Sequence, residues 1–349
     1  MDRDALEPLI AAACRAAGLE PARVEWIRAE LSLRHFARVH TTSTDWPTLV
    51  ARVEAPEDPA GRPAGAAPEP PHEPIRALLE RHGLPVPRRL GGDARHGIEL
   101  LEDVGPHSLR DAAPTLAPGA RHALYADACA LVPRLQRIAR EPGVAAFDRS
   151  LDAALIAYKA DLVVRWGLAA RGRDASATEA AIVRDAFARI ADEAARAPQR
   201  LAHRDFQGAN LFVAADARGV SRLRMIDLQG AFLAPPEYDL VSLLCDSYVE
   251  LADDEIAAQA EAVRAALPDA LDRESFARRF DLLTLARKGK DHALFHFVAR
   301  TRGDERYLRF VPATVRHLRG AAQRAARRDA RLAPLADLVA ELPETPCAR

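Results

Sequence analysis

A polar run, His203-Arg204-Asp205-Phe206-Gln207-Gly208-Ala209-Asn210, interrupts a part of the chain that is otherwise patterned for helices. Short β-type segments follow it, Leu211 to Val213 and Leu223 to Ile226, and the second runs directly into Asp227-Leu228-Gln229, with Asp227 seventeen residues beyond Asn210. A carboxylate, an amide five residues later and a second carboxylate at a strand end form a spaced polar set on loops held by strands. That arrangement limits the fold to one with a small β-supported site inside a helical body.

The rest of the chain supplies both halves of such a fold. Residues 4–18 read as an amphipathic helix through Leu6, Leu9, Ile10, Ala13 and Ala17. Val24 and Trp26 alternate with polar neighbours, and 33–41, 48–54, 88–90 and 98–101 are further strand candidates, together an antiparallel sheet. Seven prolines with Gly61 and Gly65 make residues 55–74 a surface loop, and a helix over 74–81 ends before Gly83. From Leu109 onward helical spacing dominates, over 120–139, 151–168 and 176–196 and again after residue 230. No internal repeat is present.

At 349 residues the chain exceeds what one core organises, so two lobes are expected. It is 49% hydrophobic and 28% charged with a net charge of −1, which marks a globular protein with no global attraction to nucleic acid or membrane. No apolar run approaches a membrane span, and the N-terminus lacks a signal-peptide pattern. Cys14, Cys129, Cys245 and Cys347 form no Cys-x-x-Cys pair. A reducing, cytoplasmic setting is expected, with the protein a monomer or weak dimer. Lysine occurs only at Lys159, Lys288 and Lys290, arginine carrying the remaining basic positions.

Phosphoryl transfer needs a carboxylate to orient an acceptor hydroxyl, and an amide oxygen and second carboxylate to hold the magnesium that neutralises the phosphates. Asp205, Asn210 and Asp227 offer those groups at the spacing of the kinase catalytic loop and its following metal-binding aspartate. The chain resembles the aminoglycoside phosphotransferase and choline kinase family of small-molecule kinases. That resemblance implies an α+β, bilobal, protein-kinase-like fold, with an antiparallel-sheet N-lobe over residues 1–101 and a mostly helical C-lobe over 102–349. It implies Asp205 as catalytic base, Asn210 and Asp227 as metal ligands, and ATP with Mg2+ as cofactors bound between the lobes. Asp-Leu-Gln in place of Asp-Phe-Gly, with no Ala-Pro-Glu segment, disfavours protein substrates.

Leu100 to Gly105, His203 to Leu211 and Tyr238 to Leu244 are similar to the branch that phosphorylates N-acetylmuramate and N-acetylglucosamine at the anomeric hydroxyl in peptidoglycan recycling; the Leu151 to Trp166 helix and Arg306 to Phe310 agree. Leu100, Leu101 and Glu102 are expected as the hinge strand beside adenine. The glycine-rich turn and strand lysine of kinases are missing, since the turn near Glu30 to Phe36 has no glycine and no lysine precedes Lys159. Arg34, Arg38 or Arg52 must then meet the phosphates, an exchange that guanidinium chemistry permits. Glu80 is a possible partner for such an arginine, although an ordinary solvated helix face explains it more simply.

An acceptor carrying ammonium groups wants an acidic wall, for which Asp239, Asp246, Glu250, Asp253 and Asp254 are candidates; Asp239 also fits a role in ordering the active-site loop. A sugar acid wants cations, and Arg287-Lys288-Gly289-Lys290-Asp291 holds two of the three lysines. Asp239, Lys288 and Lys290 are therefore the expected substrate contacts, against the plainer reading of the two lysines as a solvated helix turn. His292 and His296 lack a third ligand for zinc, and the C-terminal arginines without interleaved aromatics read as an exposed face rather than a nucleic-acid site. The expected partner is a small-molecule sugar. The alternatives are an aminoglycoside, choline or homoserine kinase, and a non-catalytic nucleotide-binding pseudokinase.

Overall fold

The structure is a computed structural model that describes residues 3–27, 34–54, 69–214, 219–269 and 271–345. Most of the turn expected near Glu30, most of the proline-rich segment and Cys347 lie outside the described residues. The chain forms two compact units: residues 1–69, 85–106 and 224–226 make the first, and 70–84, 107–223 and 227–349 the second. The helix His72–Arg81 thus belongs to the second unit.

Among the described residues the first unit is one helix on one sheet. Strands β1 (Pro21–Ile27), β2 (His35–Thr41), β3 (Thr48–Val53), β4 (Arg89–Asp93) and β5 (Ile98–Glu102) pair antiparallel in the order β1-β2-β3-β5-β4. Register places Ala37 opposite Ala51 and Ala51 opposite Leu100, a transverse row with no exposure. Side chains alternate between faces in a strand, so one register buries Val39, Leu49, Val53 and Ile98 on the same side. The helix Arg3–Ala16 covers that side with Leu6, Ile10, Ala13 and Cys14. At Gly92 a Cβ would collide with the Ile98 carbonyl, so only glycine allows the β4–β5 hairpin to close there.

The second unit is helical around the 30-residue helix Arg273–Arg302, capped by the Asp272 carboxylate on the Ser275 amide at 2.8 Å and ended by Gly303 in the left-handed region. Helical spacing predicted the neighbours well, with instructive breaks. The segment expected as 120–139 forms Pro118–Cys129 and Leu131–Gln136, because Pro133 has no amide to donate and its ring crowds the carbonyl of residue 129. The tryptophan-containing helix starts at Ala153, capped by Asp152, and widens to a π-turn over Val163–Gly167. There it packs on Gly289, where a Cβ would lie 3.0 Å from Val163 Cγ2.

His292, His296 and His317 are buried in this unit, 1%, 5% and 7% exposed. His292 and His296 stack edge to face rather than forming a metal pair, with centroids 4.7 Å apart. Burial pushes His292 down to about 3 and His296 to about 4, and burial with Lys288, Arg316 and Arg324 nearby pushes His317 to about 3. These rings stay neutral in the folded chain while the unfolded chain takes up protons near pH 6.5, so stability is lost as pH falls below that value. Three such groups give a slope approaching about 4 kcal/mol per pH unit. Asp239 and Asp246, raised by burial, act in the opposite sense as pH falls toward the ordinary aspartate value. The urea midpoint is expected to be clearly lower at pH 5 than at pH 7; equal midpoints would contradict this.

Candidate active site

The strand Arg200–Ala202, paired antiparallel with Phe232–Ala234, delivers the chain to His203. The backbone then turns through Arg204, whose φ of 78° lies in the region that L-residues rarely adopt. The buried Asp239 carboxylate supports that turn, accepting the amides of His203 at 2.7 Å and Arg204 at 3.1 Å. A second buried carboxylate supports the other end, where Asp246 accepts the Gly208 amide at 2.8 Å and the Tyr248 amide at 3.0 Å. A Cβ on Gly208 would sit 3.2 Å from Asp246 Oδ2, from the Arg110 amide nitrogen and from Leu109 Cδ2, so glycine permits this close seat. Phe206 anchors the middle, fully buried with its ring edge-on to His203.

Asp205 emerges from this frame partly open to solvent. Asn210 donates its side-chain amide to the Asp205 carbonyl at 2.9 Å, which assigns its nitrogen to the loop and its oxygen to other use. Asp227 is the second non-glycine residue at positive φ among the described residues, 63°, and opens the turn Leu228–Gly230. Gln229 donates to Asp227 Oδ1 at 2.6 Å. The turn lies beside Asp205, since a Cβ on Gly230 would be 3.7 Å from Asp205 Oδ2. The strained residues and the two carboxylates thus meet in one place within the second unit. A carboxylate and an amide oxygen are the hard donors that magnesium takes, so Asp227 and Asn210 fit that ion chemically.

Sequence reasoning missed the arginines around Asp205. Arg287, 3% exposed, places one terminal nitrogen 3.0 Å from Asp205 Oδ1 and donates from the other to the Arg204 carbonyl at 2.7 Å. Although burial raises Asp205, Arg287, Arg204 and Lys290 more than offset it and hold the carboxyl well below its ordinary range. Asp291 is held down in the same way by Lys288, Lys290 and Arg287. Behind Arg287, Lys159 donates to the Tyr238 hydroxyl at 3.2 Å; burial raises that phenol, but Lys159 and Arg287 bring it down to about 8. The signal available in the sequence was the cluster Arg287 to Asp291, read for its lysines alone.

Several expected contacts are corrected by geometry. Asp239 is 1% exposed with both oxygens on loop amides, which is the loop-ordering alternative read from the sequence. Its helix spans Tyr238–Leu244, which leaves Asp246 beyond the helix end to accept the Gly208 amide. Lys288 is neither on a solvated turn nor open to an acceptor: at 2% exposure it donates to Ser247 at 3.1 Å and Asp291 at 2.9 Å. Lys290 pairs with Asp291 at 2.8 Å and keeps 21% of its side chain exposed.

In the first unit, Arg38 is engaged by Asp103 at 2.6 Å, and Arg52 by Glu99 at 2.9 Å and Glu54 at 2.6 Å. Arg34 is engaged by Glu54 at 2.9 Å and by Glu69. The Leu100 side chain packs in the sheet–helix core, Leu101 is also buried, and Glu102 accepts the Arg88 amide at 3.1 Å. Glu80 is bound by Arg76 of its own helix at 2.8 Å. Among the described residues no helix is long and apolar enough to cross a membrane.

An antiparallel sheet with a mostly helical remainder, a catalytic-type loop turned through Arg204 at positive φ and a strand-end aspartate fit a protein-kinase-like small-molecule kinase. The chain belongs to the APH phosphotransferase enzyme family, whose profile matches residues 27–278. It is 29% identical over 266 residues to the N-acetylmuramate/N-acetylglucosamine kinase of Neisseria meningitidis serogroup B, covering 74% of this chain and 75% of that one. It is 28% identical over 242 residues to the protein of the same name from Caulobacter vibrioides, covering 67% and 65%. In fold it is similar to choline kinase LicA from Streptococcus pneumoniae, with TM-score 0.59, 15% identity and coverage of 93% and 99%. It is similar also to the GDP complex of aminoglycoside 2'-phosphotransferase-IIIa, with TM-score 0.60, 14% identity and coverage of 92% and 98%.

Proposed function

We propose that this kinase transfers the γ-phosphoryl group of ATP to the anomeric hydroxyl of N-acetylmuramate and N-acetylglucosamine, the chemistry named for its relatives at 29% and 28% identity. The observation that carries the reading is the seat of Asp205 beside the Asp227 turn, with cations around it. Arg287 pairs with Asp205, Lys288 and Lys290 pair with Asp291, and of these three cations Lys290 keeps the most exposed side chain. An anionic acceptor suits such a site and a polycation does not. Three of the five acidic candidates for a polycation are engaged elsewhere: Asp239 and Asp246 on loop amides, Glu250 with Arg316.

In this mechanism the acceptor hydroxyl hydrogen-bonds Asp205, its oxygen attacks the γ-phosphorus, and the bond to the bridging β–γ oxygen breaks to release ADP. The hydroxyl proton passes to Asp205. Because neighbouring cations make Asp205 a weak base, its principal task is orientation, with the proton moving late as the oxygen loses charge to phosphorus. Magnesium, which Asn210 and Asp227 would hold, supplies charge neutralisation at the phosphates. We place the protein in the cytoplasm, where such sugars and ATP coexist, acting in peptidoglycan recycling.

Magnesium-dependent ADP release with N-acetylmuramate, N-acetylglucosamine, kanamycin, choline and homoserine tests the acceptor. Turnover confined to the amino sugars is expected; turnover confined to the other three overturns the reading. Lys290, the exposed lysine of the cluster, is assigned to the lactyl carboxylate that only N-acetylmuramate carries. Lys290→Met is therefore expected to lower kcat/KM for N-acetylmuramate about tenfold, as for one charge-assisted hydrogen bond, and to spare N-acetylglucosamine. An equal loss for both sugars would remove this assignment.

A further inference from the structure

We propose that Arg287 is a positioning residue for phosphoryl transfer, a two-pronged clamp that fixes the Asp205 carboxylate and the carbonyl preceding it so that one carboxylate oxygen is presented to the acceptor. The inference rests on the role given to Asp205 above and does not depend on which acceptor is used. Both prongs are direct: one guanidinium nitrogen lies 3.0 Å from Asp205 Oδ1, and the other donates to the Arg204 carbonyl at 2.7 Å. The second contact matters because Arg204 has left-handed backbone, φ 78°, which points its carbonyl away from the direction of the preceding strand. One planar group therefore braces the strained turn and the side chain that follows it.

With Oδ1 engaged, Oδ2 is left on the side of the Leu228–Gly230 turn, 3.7 Å from where a Gly230 Cβ would stand. That is the side on which Asp227 sits, and hence where the phosphates and acceptor must meet. The guanidinium itself has little freedom. It is 3% exposed, its Nε lies 3.7 Å from Asp291 Oδ2, and the buried Tyr238 hydroxyl, tied to Lys159, stands behind it. Placement on the long helix Arg273–Arg302 gives the clamp a rigid base some eighty residues from the loop it holds.

A lysine would keep the charge but lose the fork that reaches two oxygens at once. An ordinary structural ion pair would tolerate that exchange in turnover, whereas a clamp would not. Arg287→Lys is expected to remain folded and to lower kcat about 30-fold, and Arg287→Ala about 100-fold or more, with KM for ATP within about threefold of wild type. Free guanidinium ion is expected to restore at least about tenfold of the lost turnover to Arg287→Ala, and none to the wild type. Each variant is compared with wild type both with amino sugar and with water alone as acceptor. Failure of the amino sugar in the wild type thus counts against the acceptor reading, while the variant ratios in water still report on the clamp. Wild-type turnover in Arg287→Lys overturns the proposal, whether or not Arg287→Ala folds. A folded Arg287→Ala that guanidinium does not rescue overturns it as well.

Discussion

Asp205→Asn is expected to lower turnover by about 10³–10⁴-fold while leaving the fold and the KM for ATP close to wild type. The amide keeps the shape of the side chain and can still hydrogen-bond, so the Gln207 and Asn210 contacts, which use the Asp205 carbonyl, are preserved. What is lost is the negative oxygen that orients the acceptor hydroxyl and takes its proton. The substitution also leaves Arg287 without its charged partner at 3.0 Å, in a site where it is 3% exposed. Asp291 remains 3.7 Å from the guanidinium, so losing the nearer carboxylate beside a buried cation is expected to lower the melting temperature modestly beside the loss of activity. Steady-state kinetics with a thermal melt on the same preparation check both. Retention of more than a tenth of wild-type turnover would remove Asp205 from the chemistry.

Asp227→Ala is expected to weaken magnesium-nucleotide binding by about 100-fold and to reduce turnover at least as much, because it removes one of two hard oxygen donors. Backbone strain adds to the effect. At φ 63° alanine is less readily accommodated than aspartate, and Gln229 loses its acceptor at 2.6 Å. Asp227→Asn separates these contributions, since asparagine tolerates the left-handed region and keeps an acceptor but not the charge. Calorimetric titration of magnesium-ATP should show both variants weakened, with Asp227→Asn the milder. Wild-type affinity in both would contradict a metal-binding role.

The parts of this protein legible in its sequence are those governed by short-range pattern. All five strands of the first unit follow from alternation and turn formers, and the loop from His203 to Asn210 follows from spacing with Asp227. What sequence could not reveal is set by long-range pairing. Nothing near residue 205 announces that residue 287 will lie 3.0 Å away, nor that Asp246 will turn inward onto a loop amide; for Asp239 the loop-ordering role was one of two readings open from sequence. On a helical wheel Asp239 and Lys288 look like surface positions, and only the tertiary arrangement buries them. The same holds for Arg34, Arg38 and Arg52: each is a cation on or next to a strand, suitable for phosphate by type, yet each has a carboxylate partner in its own unit. The break at Pro133 was readable in principle, because a proline inside a helical pattern predicts an interruption.

The most direct test of the central claim is 31P nuclear magnetic resonance of the product formed from ATP, magnesium and N-acetylmuramate. The account predicts a new phosphomonoester whose phosphorus couples to the anomeric proton of the sugar, with one ADP formed for each ester. A product phosphorylated at a different hydroxyl, or ADP accompanied only by inorganic phosphate, would contradict it.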